Sequence, residues 1–240
     1  MENRLPQKLQ LGIEYLKQAG LNLFSILEVG RLPDRVTSRL ADVAFPLSPR
    51  SRIILIGNGG RGLWKALSTA QWQQPDPINR YSSEAARHFA GQVLTPGNYR
   101  LIYPGDNPVA LQQLGASAGW HTASPLGLGI NPQWGLWYAY RAALLTNDPL
   151  PEMCQPAPLP PCASCSEKPC LSVCPAGALS ETATIDMDLC AGYRLSPDSG
   201  CADRCLARLS CPVSTEQRYT LKQVQYHYRL SLETLRHYFS

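Results

Sequence analysis

The residues of this chain best suited to chemistry are cysteines, and they are unevenly spread: none precedes Cys154. Cys162, Cys165, Cys170 and Cys174-Pro175 follow one another at C-x2-C-x4-C-x3-C-P. In runs of this form a short loop wraps three thiolates around one iron–sulfur cubane, and the thiolate of the Cys-Pro pair points toward another. A second set follows in Cys190, Cys201, Cys205 and Cys211-Pro212. Two Cys-Pro endings in one short stretch suggest reciprocal exchange. On that logic Cys162, Cys165, Cys170 and Cys211 hold one [4Fe–4S] cluster, and Cys174, Cys190, Cys201 and Cys205 hold a second. Soft sulfur donors suit iron because they neutralise and delocalise the charge of the cluster. The competing reading is zinc, since two closed tetrahedral sites would use the same eight thiolates. Zinc elements usually come as two C-x-x-C pairs, whereas Cys-Pro endings are an iron–sulfur habit. The spacing departs from the common iron–sulfur form at two places: four residues separate Cys165 from Cys170, and Cys201-x3-Cys205-x5-Cys211 is loose. Cys154 falls outside both sets and reads as a linker thiol.

The rest of the chain must position these thiolates. Its 240 residues allow one full-sized domain with its own core and a small second module. A hydrophobic share of 44% and a charged share of 17% are those of an ordinary globular protein. No apolar run approaches the roughly 20 residues of a membrane-spanning helix, so no membrane partner is expected. The N-terminus is amphipathic and lacks the layout of a signal peptide. The expected compartment is therefore the cytoplasm, where nine cysteines argue for metal or redox chemistry rather than disulfides. A net charge of +4 points to no polyanion by itself.

A proline-rich stretch, PLPEMCQPAPLPP, separates the cysteine-free front from the back, which places a boundary near residue 150. Helical spacing over residues 6–19 stops at Gly20. A strand, LNLFSILEV, follows, and then a short helix over Pro33 to Ala41. Arg52 to Ile56 is a buried-strand run ending at Gly57. Helical patterns cover 62–72 and 80–92, YRLIY at 99–103 is a strand, and NPVALQQLGASAGW is a helix. LGLGI and WGLWYAYRAALL read as further strands. Gly57, Gly59 and Gly62 match a dinucleotide-binding glycine pattern, but no second strand with its acidic residue follows, so a tight strand-to-helix turn is the better reading. The tail, Ser214 to Ser240, reads as a helix opened by a Ser214/Gln217 capping box. Its Arg218, Lys222, Arg229 and Arg236 read as a solvated face.

Several segments make the chain recognisable. GASAGWHTASPLGLGINPQWGLWYAYRAALLTNDPLPEM, followed by CLSVCPAGAL, closely resembles the core of epoxyqueuosine reductase, the cobalamin-dependent iron–sulfur enzyme of tRNA modification. The matching pieces are Ala118-Gly119-Trp120, Ile130-Asn131-Pro132, Gly135-Leu136-Trp137 and Leu144 to Pro151. Asp188-Leu189-Cys190 and Gly200-Cys201-Ala202-Asp203 resemble that family's second cluster half. The front is similar to the cobalamin-processing protein CblC in Phe45-Pro46-Leu47, the strand at Arg52 to Ile56, Trp64 to Leu67 and Asp76-Pro77-Ile78.

The resemblance implies an α+β fold: a nitroreductase-like mixed sheet flanked by helices over residues 1–150, a small ferredoxin-like iron–sulfur module over 151–213, and a C-terminal helical tail over 214–240. It implies a redox protein with two [4Fe–4S] clusters and cobalamin as a further cofactor, working as a reductase or a corrinoid-processing protein. The alternative is a ferredoxin-type electron-transfer protein with a docking domain. Trp120, Asn131 and Trp137 are the implied cofactor contacts, with Trp134 and Tyr138 as further candidates for a pocket wall. Arg141 falls on an arginine that CblC uses near its thiol cosubstrate. Asp106 stands one place nearer the Pro108-Val109 pair than the reductase's proton-donating aspartate, and otherwise would cap a helix starting at Pro108. His121 replaces a family glycine and is a second candidate proton donor. The expected partners are an electron donor such as a flavodoxin, ferredoxin or reductase, and a small molecule or corrinoid as substrate. tRNA is not expected, because the family's C-terminal helical-repeat region has no counterpart here.

Overall fold

The computed structural model describes residues 5–40, 43–181 and 184–239. Ala41 and Ser240, the last residues of two expected helices, lie outside them. The elements run α1 (Gln7–Gln18), β1 (Leu23–Glu28), α2 (Asp34–Leu40), β2 (Arg52–Gly59), α3 (Gly62–Ala66), α4 (Thr69–Trp72), α5 (Pro77–Val93), β3 (Tyr99–Tyr103), α6 (Leu111–Ser117), β4 (Thr122–Ala123), β5 (Gly129–Ile130), β6 (Tyr138–Thr146), α7 (Pro169–Val173), α8 (Met187–Leu195), α9 (Leu206–Ser210) and α10 (Leu221–Phe239). No described helix is long and apolar enough to cross a membrane. The chain divides into two compact units, residues 1–121 with 138–157 and residues 122–137 with 158–240. Residues 122–137, which the sequence reading joined to the front, thus belong to the C-terminal unit. Their Leu126, Ile130 and Leu136 are buried in one cluster with Ala207 and Cys211.

The N-terminal unit is built on a sheet of order β1-β2-β6-β3. The expected mixed sheet is corrected here, because every pairing is antiparallel. β2 and β3 run the same way one strand apart, and β6 fills the gap running against both. An antiparallel sheet offers no βαβ unit for a dinucleotide, and Gly57 and Gly59 lie within β2 itself. In the two central strands Ile53–Ile56 and residues 142–145 are wholly buried. Their unbroken apolar runs, rather than alternating ones, fit strands covered on both faces. On one face α5 packs against β6 and β3, and α1 packs on α5.

Local chemistry explains where the elements begin and end. α1 buries Leu9 and Leu16 and closes in a Schellman motif, with Leu21 N–H donating to Leu16 O and Gly20 N–H to Lys17 O. Gly20 takes the left-handed conformation this requires, at φ 78°. The helix expected over 62–72 breaks in two, because Ser68 and Gln71 form a capping box that starts α4 afresh. α5 begins earlier than its apolar spacing indicates, since Pro77 occupies its first turn. α6 starts at Leu111 rather than Pro108, after tight turns in which Val109 N–H reaches Asn107 O and Leu111 N–H reaches Val109 O. Asp106 is therefore no helix cap.

The end of β6 is locked to the loop before β3. Buried Asp148 accepts from the Thr95 N–H at 2.6 Å and from Asn98 Nδ2 at 2.5 Å, while Thr146 Oγ1 donates to Asn98 O at 2.9 Å. The Leu144 to Pro151 segment, quoted above for its resemblance, thus carries an architectural latch. Replacing Asp148 with Ala leaves the Thr95 N–H without its acceptor. We expect a loss of about 1–3 kcal/mol in stability, read as a lower midpoint in urea; an unchanged midpoint would show that the latch contributes nothing.

Candidate metal centre

In the C-terminal unit two five-residue helices organise the cysteines. α7 and α9 pack together. Cys170 sits inside α7 and Cys174 ends it, while Cys205 caps the start of α9 and Cys211 caps its end. The Cys205 sulfur accepts from the Arg208 N–H at 3.3 Å. Cys162 lies on the 3-10 turn Pro161–Ala163. Cys190 lies in α8, whose N-cap Asp186 accepts from the Leu189 N–H.

These placements gather the eight thiols into two sets. Cys174, Cys190, Cys201 and Cys205 line a cavity of about 320 Å³. Cys162, Cys165, Cys170 and Cys211 line a narrower one of about 30 Å³. The start of α7 and the end of α9 face one cavity, and the opposite ends face the other, so the two helices lie antiparallel between them. Cys-Pro is the hinge of this exchange on both helices, because proline ends a helix and releases the preceding cysteine to the other side. Among the described residues no three His, Cys, Asp or Glu side chains stand close enough to share a single metal ion. Each set lines its own cavity.

The electrostatics follow the same partition. Burial pushes the Cys162 thiol up, and Cys211, Cys170 and Cys165 push it further. Burial also raises Cys190, and Cys205, Cys174 and Cys201 add to the rise against the pull of Arg194. Cys170, Cys201 and Cys211 are raised as well, first by burial, and each feels only cysteines of its own set. Packed thiols that resist ionisation are poor thiolates on their own; a bound cation reverses that preference. Leu126, Ile130 and Leu136 pack with Cys162, Cys170, Cys174, Cys205 and Cys211 and surround the sulfurs with hydrocarbon. Cys154 is exposed in the N-terminal unit, apart from both sets.

The residues expected to line a cofactor pocket are held by the fold. Trp137 is wholly buried in the C-terminal unit, with its ring 5.4 Å from Tyr219 and the Arg208 guanidinium 4.6 Å away. It presents no surface to a ligand. Asn131 is buried in a turn, where its Oδ1 accepts from the N–H groups of Gln133 and Trp134. Trp120 is 2% exposed and stacks on Tyr140. Arg141 is buried and donates from Nε to Asn58 Oδ1 at 2.6 Å. Tyr138, among the pocket-wall candidates, joins a polar group with His121 and Tyr140.

In that group His121 Nδ1 lies 3.5 Å from Tyr138 Oη and 3.4 Å from Tyr140 Oη. Burial lowers the His121 pKa, pushes Tyr138 up to about 12 and raises Tyr140 as well. A neutral imidazole facing two protonated phenols can hold and pass a proton. A Cβ on Gly115 would stand 1.9 Å from the Tyr140 hydroxyl, so the glycine makes room for this group. Sequence patterning missed both tyrosines as partners of His121, although Tyr138 and Tyr140 alternate with Ala139 on one side of β6. Asp106 is exposed in the loop after β3 and makes no hydrogen bond or ion pair among the described residues.

No family model and no curated protein matches the chain. Solved structures do. An epoxyqueuosine reductase, solved with an epoxyqueuosine-modified tRNA stem loop, matches over 90% of this chain and 68% of its own at 14% identity and a TM-score of 0.56. The B12-trafficking protein CblC of C. elegans matches over 95% of this chain and 96% of its own at 15% identity and a TM-score of 0.50. The catabolic reductive dehalogenase NpRdhA, solved with 3-bromo-4-hydroxybenzoic acid, matches over 95% of this chain and 34% of its own at 13% identity and a TM-score of 0.54. This chain thus spans about two thirds of the reductase and one third of the dehalogenase. The expectation that tRNA is no partner is overturned, because the reductases this chain is similar to act on tRNA, and one was solved with a tRNA stem loop in place. At these identities the likeness is one of fold alone.

Proposed function

We propose that this chain is an iron–sulfur redox protein, with one [4Fe–4S] cluster on Cys162, Cys165, Cys170 and Cys211 and a second on Cys174, Cys190, Cys201 and Cys205. The carrying observation is the convergence of eight thiols into two sets, each around its own cavity. A single zinc draws four sulfurs to about 2.3 Å from one point. A cubane instead binds each thiolate to a different iron, and the two Cys-Pro endings favour this form over paired C-x-x-C zinc elements. Once bound, such clusters take up and release single electrons. The chain's own residues supply the thiolates, the hydrocarbon of Leu126, Ile130 and Leu136 packed against them, and the antiparallel helices that hold the two sets.

The assignment is tested by which cysteines fail together. Protein purified without oxygen should contain about eight irons and eight sulfides per chain. Cys162→Ala and Cys211→Ala should each remove the same four irons, despite their separation in sequence. Cys170→Ala and Cys174→Ala, from one short helix, should remove different ones, as resolved by EPR of the reduced protein. Colourless, iron-poor protein, or Cys170→Ala and Cys174→Ala spectra that coincide, would refute the assignment.

For the N-terminal unit we propose a corrinoid-dependent reductase or corrinoid-processing role. The support is fold likeness to the B12-trafficking protein and the reductases. Trp120 is buried in the N-terminal unit, and Asn131 and Trp137 are buried in the C-terminal unit. His121, with Tyr138 and Tyr140, is the group we assign to holding a proton for reduction. A flavodoxin, ferredoxin or reductase would supply electrons, and tRNA belongs among the substrates to be tested. The burial of the expected pocket residues favours a second reading, an electron-transfer protein that binds no corrinoid. Titrating the reduced full chain with cobalamin separates the two: a shift to the base-off or Co(I) spectrum supports the corrinoid role, and an unchanged spectrum supports electron transfer alone.

A further inference from the structure

Three arginines are drawn into the C-terminal unit without a carboxylate. Among the described residues Arg194, Arg208 and Arg218 form no ion pair with Asp or Glu, whereas Arg204 and the exposed Arg229 both reach Asp203. Arg194 is the most deeply placed of the three, at 9% exposure. Its Nε donates to Cys201 O at 3.2 Å, Nη1 to Ser231 Oγ at 2.9 Å and Nη2 to Tyr228 O at 3.0 Å. Its guanidinium also lies 5.0 Å from the centre of the Tyr228 ring. All of these partners are neutral. A guanidinium does not shed its proton on burial, and a buried charge without a counter-charge is strongly unfavourable. The compensating negative charge must come from something else at the same place.

Arg194 lines the wider cavity together with Cys174, Cys190, Cys201 and Cys205. Arg208 lines the same cavity and is held over Trp137, with Nη2 donating to Leu136 O at 2.6 Å. The narrower cavity is different. Its lining cation is Lys168, which is paired with Glu181 at 2.5 Å. Arg218 reaches Cys211 O at 3.3 Å but is not among that cavity's lining residues.

We propose that Arg194 is the buried counter-charge of the cluster held by Cys174, Cys190, Cys201 and Cys205, and that it sets the reduction potential of that cluster above that of its neighbour. The inference rests on the iron–sulfur reading given above. A four-thiolate cubane is anionic and becomes more so on reduction; net charge and hydrogen bonding around the sulfurs set its potential. A fixed cation at the cavity wall stabilises the reduced form more than the oxidised one. It therefore raises the potential of the cluster it faces. Arg194 is a positioning residue in this sense, acting on the cluster through charge and through the backbone of Cys201.

The test is a dithionite titration of the anaerobically purified full chain followed by EPR. Two one-electron waves are expected. Arg194→Gln should lower the higher wave alone, shifting the reduced-to-oxidised ratio of that cluster about tenfold at a fixed potential, or about 59 mV for one electron. Arg194→Lys keeps the charge and should leave that wave near its original position. Arg229→Gln, which removes an exposed cation already paired with Asp203, should move neither wave. Loss of the cluster in Arg194→Gln with retention in Arg194→Lys would also support the counter-charge role. The proposal is overturned if Arg194→Gln moves both waves equally or neither, if Arg194→Lys shifts the wave as far as Arg194→Gln, or if both variants lose the cluster alike. Unaltered protein without any reducible signal would instead overturn the iron–sulfur reading itself.

Discussion

Within the two sets of thiols, Cys162, Cys170, Cys190, Cys201 and Cys211 resist ionisation, because burial and neighbouring sulfurs both oppose the thiolate. On the proposed reading, a bound cationic core in each cavity would reverse that preference. That constraint explains why the scaffold is so spare. Two five-residue helices, α7 and α9, could not bury a core alone, but each sends one cysteine to either cavity. Since Cys170 and Cys174 leave the same helix in opposite directions, the two sets are fixed relative to each other. Neither can be assembled without constraining the other.

The surrounding residues answer the same constraint from outside. Residues 122–137 bring Leu126, Ile130 and Leu136 against the sulfurs, and Ser214 Oγ donates to Pro132 O, tying the loop after Cys211 to this segment. Arginines hydrogen-bonded to backbone carbonyls add positive charge without acids to neutralise it. In the N-terminal unit the organising interactions are of another kind. A fully antiparallel sheet with two buried central strands is closed by the Asp148 latch, and it leaves the alternating side chains of β6 to present Tyr138 and Tyr140 to His121.

Much of this was legible because the signals are local. Ligand spacing and the two Cys-Pro pairs carry the expectation that Cys162 belongs with Cys211 and Cys174 with Cys205; these pairs line separate cavities, and their ligation is the proposal made above. The strands β1, β2 and β3 and the helices α1 and α5 followed from apolar spacing. What escaped the sequence depends on long-range partners. WGLWYAYRAALL reads as one strand, yet Trp134 to Trp137 turn within the C-terminal unit, with Trp137 N–H donating to Trp134 O, and only the part from Tyr138 joins the sheet. Ser214 and Gln217 have the spacing of a capping box, but Ser214 adopts φ 50° and its hydroxyl points to Pro132 O. Thr220 caps the long helix instead, accepting from the Gln223 N–H. Trp137 and Asn131 matched a family pattern whose cause here is packing and turn geometry. The unpaired arginines left no trace in composition, because charge compensation is settled by what lies nearby in space.

The central claim is that each cysteine set closes around its own iron–sulfur cube. Crystals grown without oxygen and measured at the iron absorption edge test it most directly. The account predicts two separate iron peaks, one ringed by Cys162, Cys165, Cys170 and Cys211 and the other by Cys174, Cys190, Cys201 and Cys205. A single ion per set that scatters at the zinc edge, or a cluster drawing its ligands from both sets, would contradict it.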